Sequence, residues 1–425
     1  MINKIKYYTR NFIIYVLTLP SVIIAIIRFK LSYIKHKNDP DVGVGLLLDD
    51  LNVGGLENIV MSLYKGYRQN KNNSYLIIVN NNVSNYIKSL EDDPRQFQIL
   101  FCSRARLLNY CRVHKIYTMH YHFSTFSLRL LSFLGVKTIY TIHNTYVWFT
   151  PRMWRRLKRS LKKCTYIVAV SDFAKNYFEE KTKITRTITI NNGIDINGIQ
   201  QSMSSSHDMT YFYKECGFKK TDKIVAMLSS FSEQKYHLSL IGAMEKAFEK
   251  HLCDPKTTKI LMCGPILDKK IYSATKRAIK KSPYSDNFIL HEPIDSKDIG
   301  AFLQNIPNLI VLPSLYEGGV PPLIITESLI CNKPVVMTDL DISNGPFAEY
   351  IQTVPRAYEN LTDLDDKKIS KIVYSKNSQN QEALALKISE VLSNLKEYIP
   401  NIPESKLHLL DTETMVKKYL ELISK

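Results

Sequence analysis

At 425 residues, with 45% hydrophobic and 23% charged, the chain is too long for one ordinary domain and too apolar for a disordered one, so two domains with cores of their own are expected. Its formal charge of +17 calls for an anionic neighbour: membrane phospholipid, nucleic acid or a phosphorylated substrate. Seven cysteines, odd in number and without a close pair, speak against a disulfide framework or a zinc site and for a reducing, cytoplasmic setting.

The first 37 residues carry Lys4, Lys6, Arg10, Arg28, Lys30, Lys35 and Lys37 and no acid, around a largely apolar run at 12–27. Sixteen helical residues reach about 24 Å, short of a ~30 Å hydrocarbon core, and Ile26, Ile27, Arg28 and Phe29 offer no small-residue cleavage site. Residues 1–37 are therefore read as a membrane-anchoring basic and hydrophobic segment, peripheral or monotopic on the cytoplasmic face of the membrane, with its cations on anionic head groups. A spanning helix and a helix docked on another protein are the alternatives.

After Pro40, short apolar runs alternate with helical stretches, the mark of parallel sheets with crossover helices. Strands are read at 42–48, 75–79, 97–101, 116–119, 138–142, 166–170 and 187–190, with a helix following Gly54 and Gly55. The serine-rich segment 200–208 reads as a linker. A second series follows, with strands at 224–228, 259–263, 288–291, 309–312 and 334–338 and helices at 237–250, 322–330, 382–395 and 412–423. The fold class is α/β, two Rossmann-like domains (38–205 and 206–395) facing across a cleft, with a C-terminal helical segment, 396–425, packing back on the first domain.

Residues 152–163 hold seven cations, around a stripe of Met153, Leu157 and Leu161 that Cys164 continues at helical spacing. The stripe reads as core, and the cationic side as a surface for solvent, anionic lipid or a phosphorylated acceptor. The cations gather beside apolar and aromatic residues rather than in a recognisable nucleic-acid module, so no nucleic-acid partner is expected.

The stretch Leu312, Pro313, Ser314, Leu315, Tyr316, Glu317, Gly318, Gly319, Val320, Pro321, Pro322, Leu323, Ile324, Ile325, Thr326, Glu327 runs from strand through a Gly-Pro turn into a helix. An ionised carboxylate is acceptor-only and can take two vicinal ribose hydroxyls, while glycines before a helix expose backbone N–H groups to an approaching oxygen. This run resembles the Glu...Glu segment of the family 4 glycosyltransferases, which have the GT-B fold. There the first carboxylate lies near the donor sugar and the second holds the nucleotide ribose. Here Glu317 and Glu327 stand ten apart instead of the usual eight, which reads as a two-residue loop extension.

Further matches lie in order along residues 41–345. Gly54 and Gly55, with Glu57, are similar to the family's amino-terminal Gly-Gly turn, implying contact with donor phosphate or acceptor. Thr141, Ile142, His143 is similar to the Thr-x-His element, whose His faces the donor sugar. Residues 171–175 and 191–195 look like elements that close the first domain, where Asn, Gly and Asp suit turns of positive φ. His120 and His122, which lack a carboxylate or Cys partner, read as core or cleft-wall residues rather than metal ligands. Around Ser229, Ser230 and Lys235 the family carries an Arg and a Lys on the donor diphosphate; the Lys is present, and Ser230 stands where the Arg would be.

The resemblance thus implies a retaining, hexosyltransferase-type enzyme using a nucleotide-sugar donor and a lipid-linked or surface-polysaccharide acceptor, with no metal or other cofactor. Lys235, His143 and Glu317 are the implied catalytic residues. Gly54, Gly55, Ser229, Ser230, Gly318, Gly319 and Glu327 are the implied donor-binding ones. The alternative is a non-catalytic membrane-associated scaffold or regulatory subunit of the same fold.

Overall fold

The computed structural model describes residues 20–39, 41–51, 54–70, 73–80, 97–204, 209–342, 345, 347–374 and 379–424. The expected anchor lies outside the described residues over 1–19, as do Val53 and the serines and histidine at 205–207.

The first domain is built on strands β1 (Gly43–Leu48), β2 (Ser74–Ile78), β3 (Phe97–Ile99), β4 (Ile116–His122), β5 (Lys137–Ile142), β6 (Tyr166–Ala169) and β7 (Thr187–Thr189), all paired in parallel in the order β3-β2-β1-β4-β5-β6-β7. β1 is buried along its whole length, because helices cover both faces of the sheet. One face carries α1 (20–36), α3 (Arg104–Val113), α4 (Leu128–Leu134), α5 (Pro151–Leu161) and α6 (Asp172–Thr182). The opposite face carries α2 (Gly55–Gln69) and, from the far end of the chain, α15 as numbered below.

α1 is apolar on two sides. Phe29 is fully buried, stacking near Tyr33 and edge-on to Tyr117, and Lys30 Nζ donates to Leu134 O at 2.8 Å. Ile23, Ile24, Ile27, Leu31 and Ile34 meanwhile face solvent, as does Phe133 of α4. On α5 the buried residues are Trp154, Leu157 and Leu161; Met153, expected in the core, is 40% exposed, because Trp154 fills that place against Phe149 and Tyr177.

Helix α7 (Ile196–Ser204) and the short α8 (Thr210–Glu215) lead into the second sheet. The expected linker is thus helical over 200–204. It is held by α11 (Ile299–Asn305), where Gly300 lies so close that a Cβ would stand 2.4 Å from Ile199 O, and Ser202 Oγ accepts from Ala301 N. The second sheet comprises β8 (Lys223–Leu228), β9 (Thr258–Cys263), β10 (Phe288–His291), β11 (Leu309–Leu312), β12 (Val335–Thr338) and β13 (Gln352–Val354), again all parallel, in the order β10-β9-β8-β11-β12-β13. Its covering helices are α9 (His237–Glu249), α10 (Lys269–Lys281), α11, α12 (Leu323–Ile330), α13 (Asp366–Val373) and α14 (Gln379–Ser393).

Helix α15 (Thr412–Ser424) returns to the first domain. Ile194 N donates to Leu410 O and Thr412 N to Ile194 O, Val416 packs on Gly66 of α2, and Lys137 Nζ reaches Ile423 O. At Gly193 an added Cβ would meet Asp411 O at 2.4 Å. Close approach of the returning chain therefore explains this glycine; the positive φ expected over 191–195 does not occur. No helix among the described residues is long and apolar enough to cross a membrane.

Candidate functional site

Each sheet reverses its strand order once, between β1 and β4 and between β8 and β11, and open parallel sheets bind ligands at the carboxyl edge of such a switch point. Gly54 and Gly55 follow β1 there, and Ser229, Ser230 and Lys235 follow β8. The two edges face each other, and the loop after β11, carrying Glu317, Gly318 and Gly319, crosses between them.

Gly318 is the tightest point of that crossing. A Cβ on it would stand 1.8 Å from His143 O and 2.8 Å from Asn144 Cα, both in the first domain, so only glycine fits while the domains are closed. Ser171 Oγ, which also N-caps α6 by accepting from Ala174 N, donates to Gly318 O at 2.5 Å. The neighbouring Gly319 faces Asn192 Nδ2, and Gly55 at the start of α2 faces Leu323 at the start of α12. Segments 171–175 and 191–195 thus touch the loop directly, a role beyond the turn geometry expected of them.

Behind the loop, Glu317 is buried and bound from two sides. Lys235 Nζ donates to its Oε1 at 2.5 Å and Gln234 Nε2 to its Oε2 at 2.9 Å. Gln234 also spans the cleft: Asn144 Nδ2 lies 3.4 Å from its Oε1, and its carbonyl accepts from Leu315 N. Tyr358 OH donates to Leu315 O at 2.5 Å, fixing the loop from beneath. The cation that the resemblance puts at a donor diphosphate is therefore already paired with the first Glu, which the resemblance puts near the sugar.

Ser229 Oγ lies 3.4 Å from His237 Nε2, and His237 stacks on Phe231 with ring centroids 4.3 Å apart. Burial lowers the His237 pKa to about 3, helped by the nearby Lys235 charge, so this ring is neutral. Ser230 brings no cation to the edge, and no other cation is bonded at that point among the described residues.

Glu327 sits one turn into α12, half-buried, and no described residue bonds its carboxylate. Desolvation pushes its pKa up to about 7. At the start of α2, Gly54 adopts an extended φ of −178°, and the Glu57 carboxylate of the first turn lies beside it, 2.7 Å from where a Cβ would stand. The helix N-terminus expected to meet phosphate is therefore partly served by its own acid.

His143 follows β5 at the domain junction. Its backbone N–H donates to Tyr146 OH at 3.3 Å, and its ring Nε2 lies 2.9 Å from His122 Nδ1. Burial lowers its pKa to about 3. His120 lies within β4 and His122 ends it, and both are fully buried, as core or cleft-wall residues. Among the described residues no three His, Cys, Asp or Glu side chains gather in a way that would hold a metal ion. A cavity of about 160 Å³ opens beside the loop, where Asn191 and Asn192, Val320 and Thr326, and Met415 and Lys418 of α15 meet.

Residues without a motif to announce them are Gln234, Tyr358 and His237. Asp49 is another: at the end of β1 its carboxylate accepts from Ser124 Oγ at 2.5 Å, and desolvation raises its pKa.

Residues 53–197 match the model described as Glycosyltransferase Family 4, and residues 211–353 the model described as Glycosyl transferases group 1, so each sheet carries one match. No curated protein matches the chain in sequence. Among solved structures, a glycosyltransferase from Rickettsia africae ESF-5 superposes with a TM-score of 0.70 at 19% identity, covering 90% of this chain and 98% of the other. HepE of Anabaena, solved with UDP and glucose, gives 0.68 at 16% identity, with 90% and 99% covered. Sucrose-phosphate synthase of Thermosynechococcus elongatus gives 0.64 at 14%, with 90% and 98% covered. At such identities the likeness is one of fold.

Proposed function

From the premise that this chain is a GT-B glycosyltransferase, with one matched glycosyltransferase domain on each sheet, we propose that it moves a hexose from a nucleoside diphosphate to a lipid-linked or surface-polysaccharide acceptor with retention at the anomeric carbon. The observation that carries the reading is the contact between the two sheet edges. One loop brings Glu317, with Lys235 and Gln234, against His143 and Ser171 of the opposite domain. HepE, similar in fold, was solved with UDP-glucose, which supports a nucleotide-sugar donor.

In this reading the departing diphosphate gains charge as the glycosidic bond breaks, and Lys235 stabilises that charge more in the transition state than in the ground state. Glu317 gives up part of its hold on Lys235 when the diphosphate arrives and turns toward the sugar. Glu327 accepts the ribose hydroxyls. Ser229 and Ser230 hydroxyls and the backbone at Gly54, Gly55 and Gly319 complete the donor site. Lys235 takes the role a metal plays elsewhere, so the reading calls for no metal ion.

The site is proposed to work at the cytoplasmic face of a membrane. Supporting this are the solvent-facing stripe Ile23, Ile24, Ile27, Leu31 and Ile34, the exposed Phe133 with Lys163 Nζ 5.7 Å above its ring, and the cations around α5. A solved structure of WaaG, a glycosyltransferase involved in lipopolysaccharide biosynthesis, has the same fold, in keeping with an envelope acceptor.

One observation favours the scaffold as a second reading: the single cation of the diphosphate site is paired with Glu317, and Ser230 supplies none. Mass spectrometry of products after incubation with a panel of UDP-, GDP- and ADP-sugars separates the two. A transferase releases the nucleoside diphosphate from one of them, and a scaffold from none. NMR of the anomeric linkage then tests retention, and an inverted product refutes that part.

A further inference from the structure

His122 is placed to do more than fill the core. β4 and β5 pair with His122 opposite Thr141, two residues before His143 and next to the end of β5. His122 Nδ1 and His143 Nε2 are 2.9 Å apart. Burial keeps both rings uncharged, so this contact holds a single proton, and its position on one nitrogen fixes the tautomer of the other ring.

Among the described residues nothing else competes for that decision. His120, two residues earlier, has both nitrogens engaged: Nδ1 with Tyr67 OH at 3.1 Å and Nε2 with Thr141 Oγ1 at 2.7 Å. Thr141 Oγ1 continues to Tyr419 OH at 3.1 Å, closing a buried network that ties α2 and α15 to the sheet. His122 stays outside it, although the two imidazole centroids are 4.0 Å apart. Its Nε2 is buried without a partner among the described residues.

Two arrangements follow. If His143 Nε2–H donates to His122, then His122 carries its own proton on Nε2, an orphaned buried donor, and His143 turns a bare lone pair to the cleft. If His122 Nδ1–H donates, the orphan is only a lone pair, and His143 carries its proton on Nδ1. Orphaned N–H groups are the rarer and costlier defect, so the second arrangement prevails. His143 Nδ1 has no partner among the described residues, and the His143 backbone lies against the Glu317–Gly319 loop.

We propose that His122 is a positioning residue that holds His143 as an Nδ1–H donor, aimed at a hydroxyl oxygen of the bound donor sugar. This rests on the glycosyltransferase reading for the identity of the ligand, but not for the tautomer.

Nitrogen-15 NMR of histidine-labelled full-length protein, with His143 assigned by His143→Gln, reads the tautomer without any substrate. A pyrrole-type Nδ1 and pyridine-type Nε2 are expected for His143 in the wild type and in His122→Asn, whose amide nitrogen stands where Nδ1 stood. In His122→Leu that preference is lost. With the active donor, His122→Leu lowers kcat on the order of 10- to 100-fold at nearly unchanged donor KM, and His122→Asn recovers most of the loss. An Nε2–H tautomer of His143 in the wild type overturns the proposal, as does wild-type kcat in a folded His122→Leu variant. Should no donor be turned over, the function fails while the tautomer measurement still decides the role of His122.

Discussion

Gly318→Ala is the change whose consequence the structure specifies most closely. The new methyl would stand 1.8 Å from His143 O and 2.6 Å from its carbonyl carbon, where ordinary contact begins near 3.4 Å. These neighbours are backbone atoms of the other domain, so the domains themselves must separate by more than 1 Å. The 2.5 Å bond from Ser171 Oγ to Gly318 O is then lost. Overpacking costs about 1–3 kcal/mol and a lost hydrogen bond about 0.5–1.5 kcal/mol, together about 1.5–4.5 kcal/mol against the closed state, with a middle range of about 2–4 kcal/mol. At 1.4 kcal/mol per tenfold, the open-to-closed ratio rises roughly 30- to 700-fold. Spin labels placed on α3 and α10 read the separation, and steady-state kinetics read kcat. An unchanged label distance with unchanged kcat would refute the argument that this glycine is a closure contact.

Lys235→Ala should cut kcat/KM for the donor roughly 100- to 1000-fold through lost leaving-group stabilisation, with Lys235→Arg recovering part; wild-type kinetics in Lys235→Ala would remove it from the mechanism. Glu317→Gln releases Lys235, so affinity for the nucleoside diphosphate alone should rise in calorimetry while turnover falls. Glu327 titrates near 7 in the folded chain against 4.5 ordinarily. Folding therefore takes up a proton between those values, and wild-type stability should fall as pH rises from 4.5 to 7, while Glu327→Gln stays flat by comparison. Donor affinity should rise over the same window, because only the ionised carboxylate accepts both ribose hydroxyls. Ile27→Asp with Leu31→Asp should abolish co-sedimentation with phosphatidylglycerol vesicles, and equal sedimentation of both proteins would exclude this face.

Much of the fold was legible because its signal is local. Central strands such as β1 and β11 are buried on both faces and read as uninterrupted apolar runs, with borders within about two residues of those observed. β13, Gln352–Val354, escaped because a three-residue edge strand with a polar start carries no such run. Helix α7 hid behind the serines at 202, 204 and 205, since its stability comes from packing on Gly300 rather than from its own propensities. His120 and His122 are buried in β4, in keeping with their reading as core or cleft-wall residues, although the strand expected at 116–119 runs on through both; partners on α2, β5 and α15 make the burial of His120 tolerable.

At the site, motif spacing pointed to Glu317, Lys235 and His143 but not to the pairing of Lys235 with Glu317, since 82 residues separate them and only the pairing of β8 with β11 in the second sheet brings them together. Gln234 carries no pattern of its own, and the 171–175 element announces a turn but not the bond from Ser171 to Gly318. Their importance comes from what crosses the domain boundary to meet them.

The account stands most directly on donor turnover. The full-length protein, incubated with UDP-, GDP- and ADP-sugars and anionic vesicles bearing lipid acceptors, should release nucleoside diphosphate from one donor class, and Lys235→Ala should suppress that release. Failure of every donor to bind or to be cleaved, by a protein shown to be folded, would contradict it.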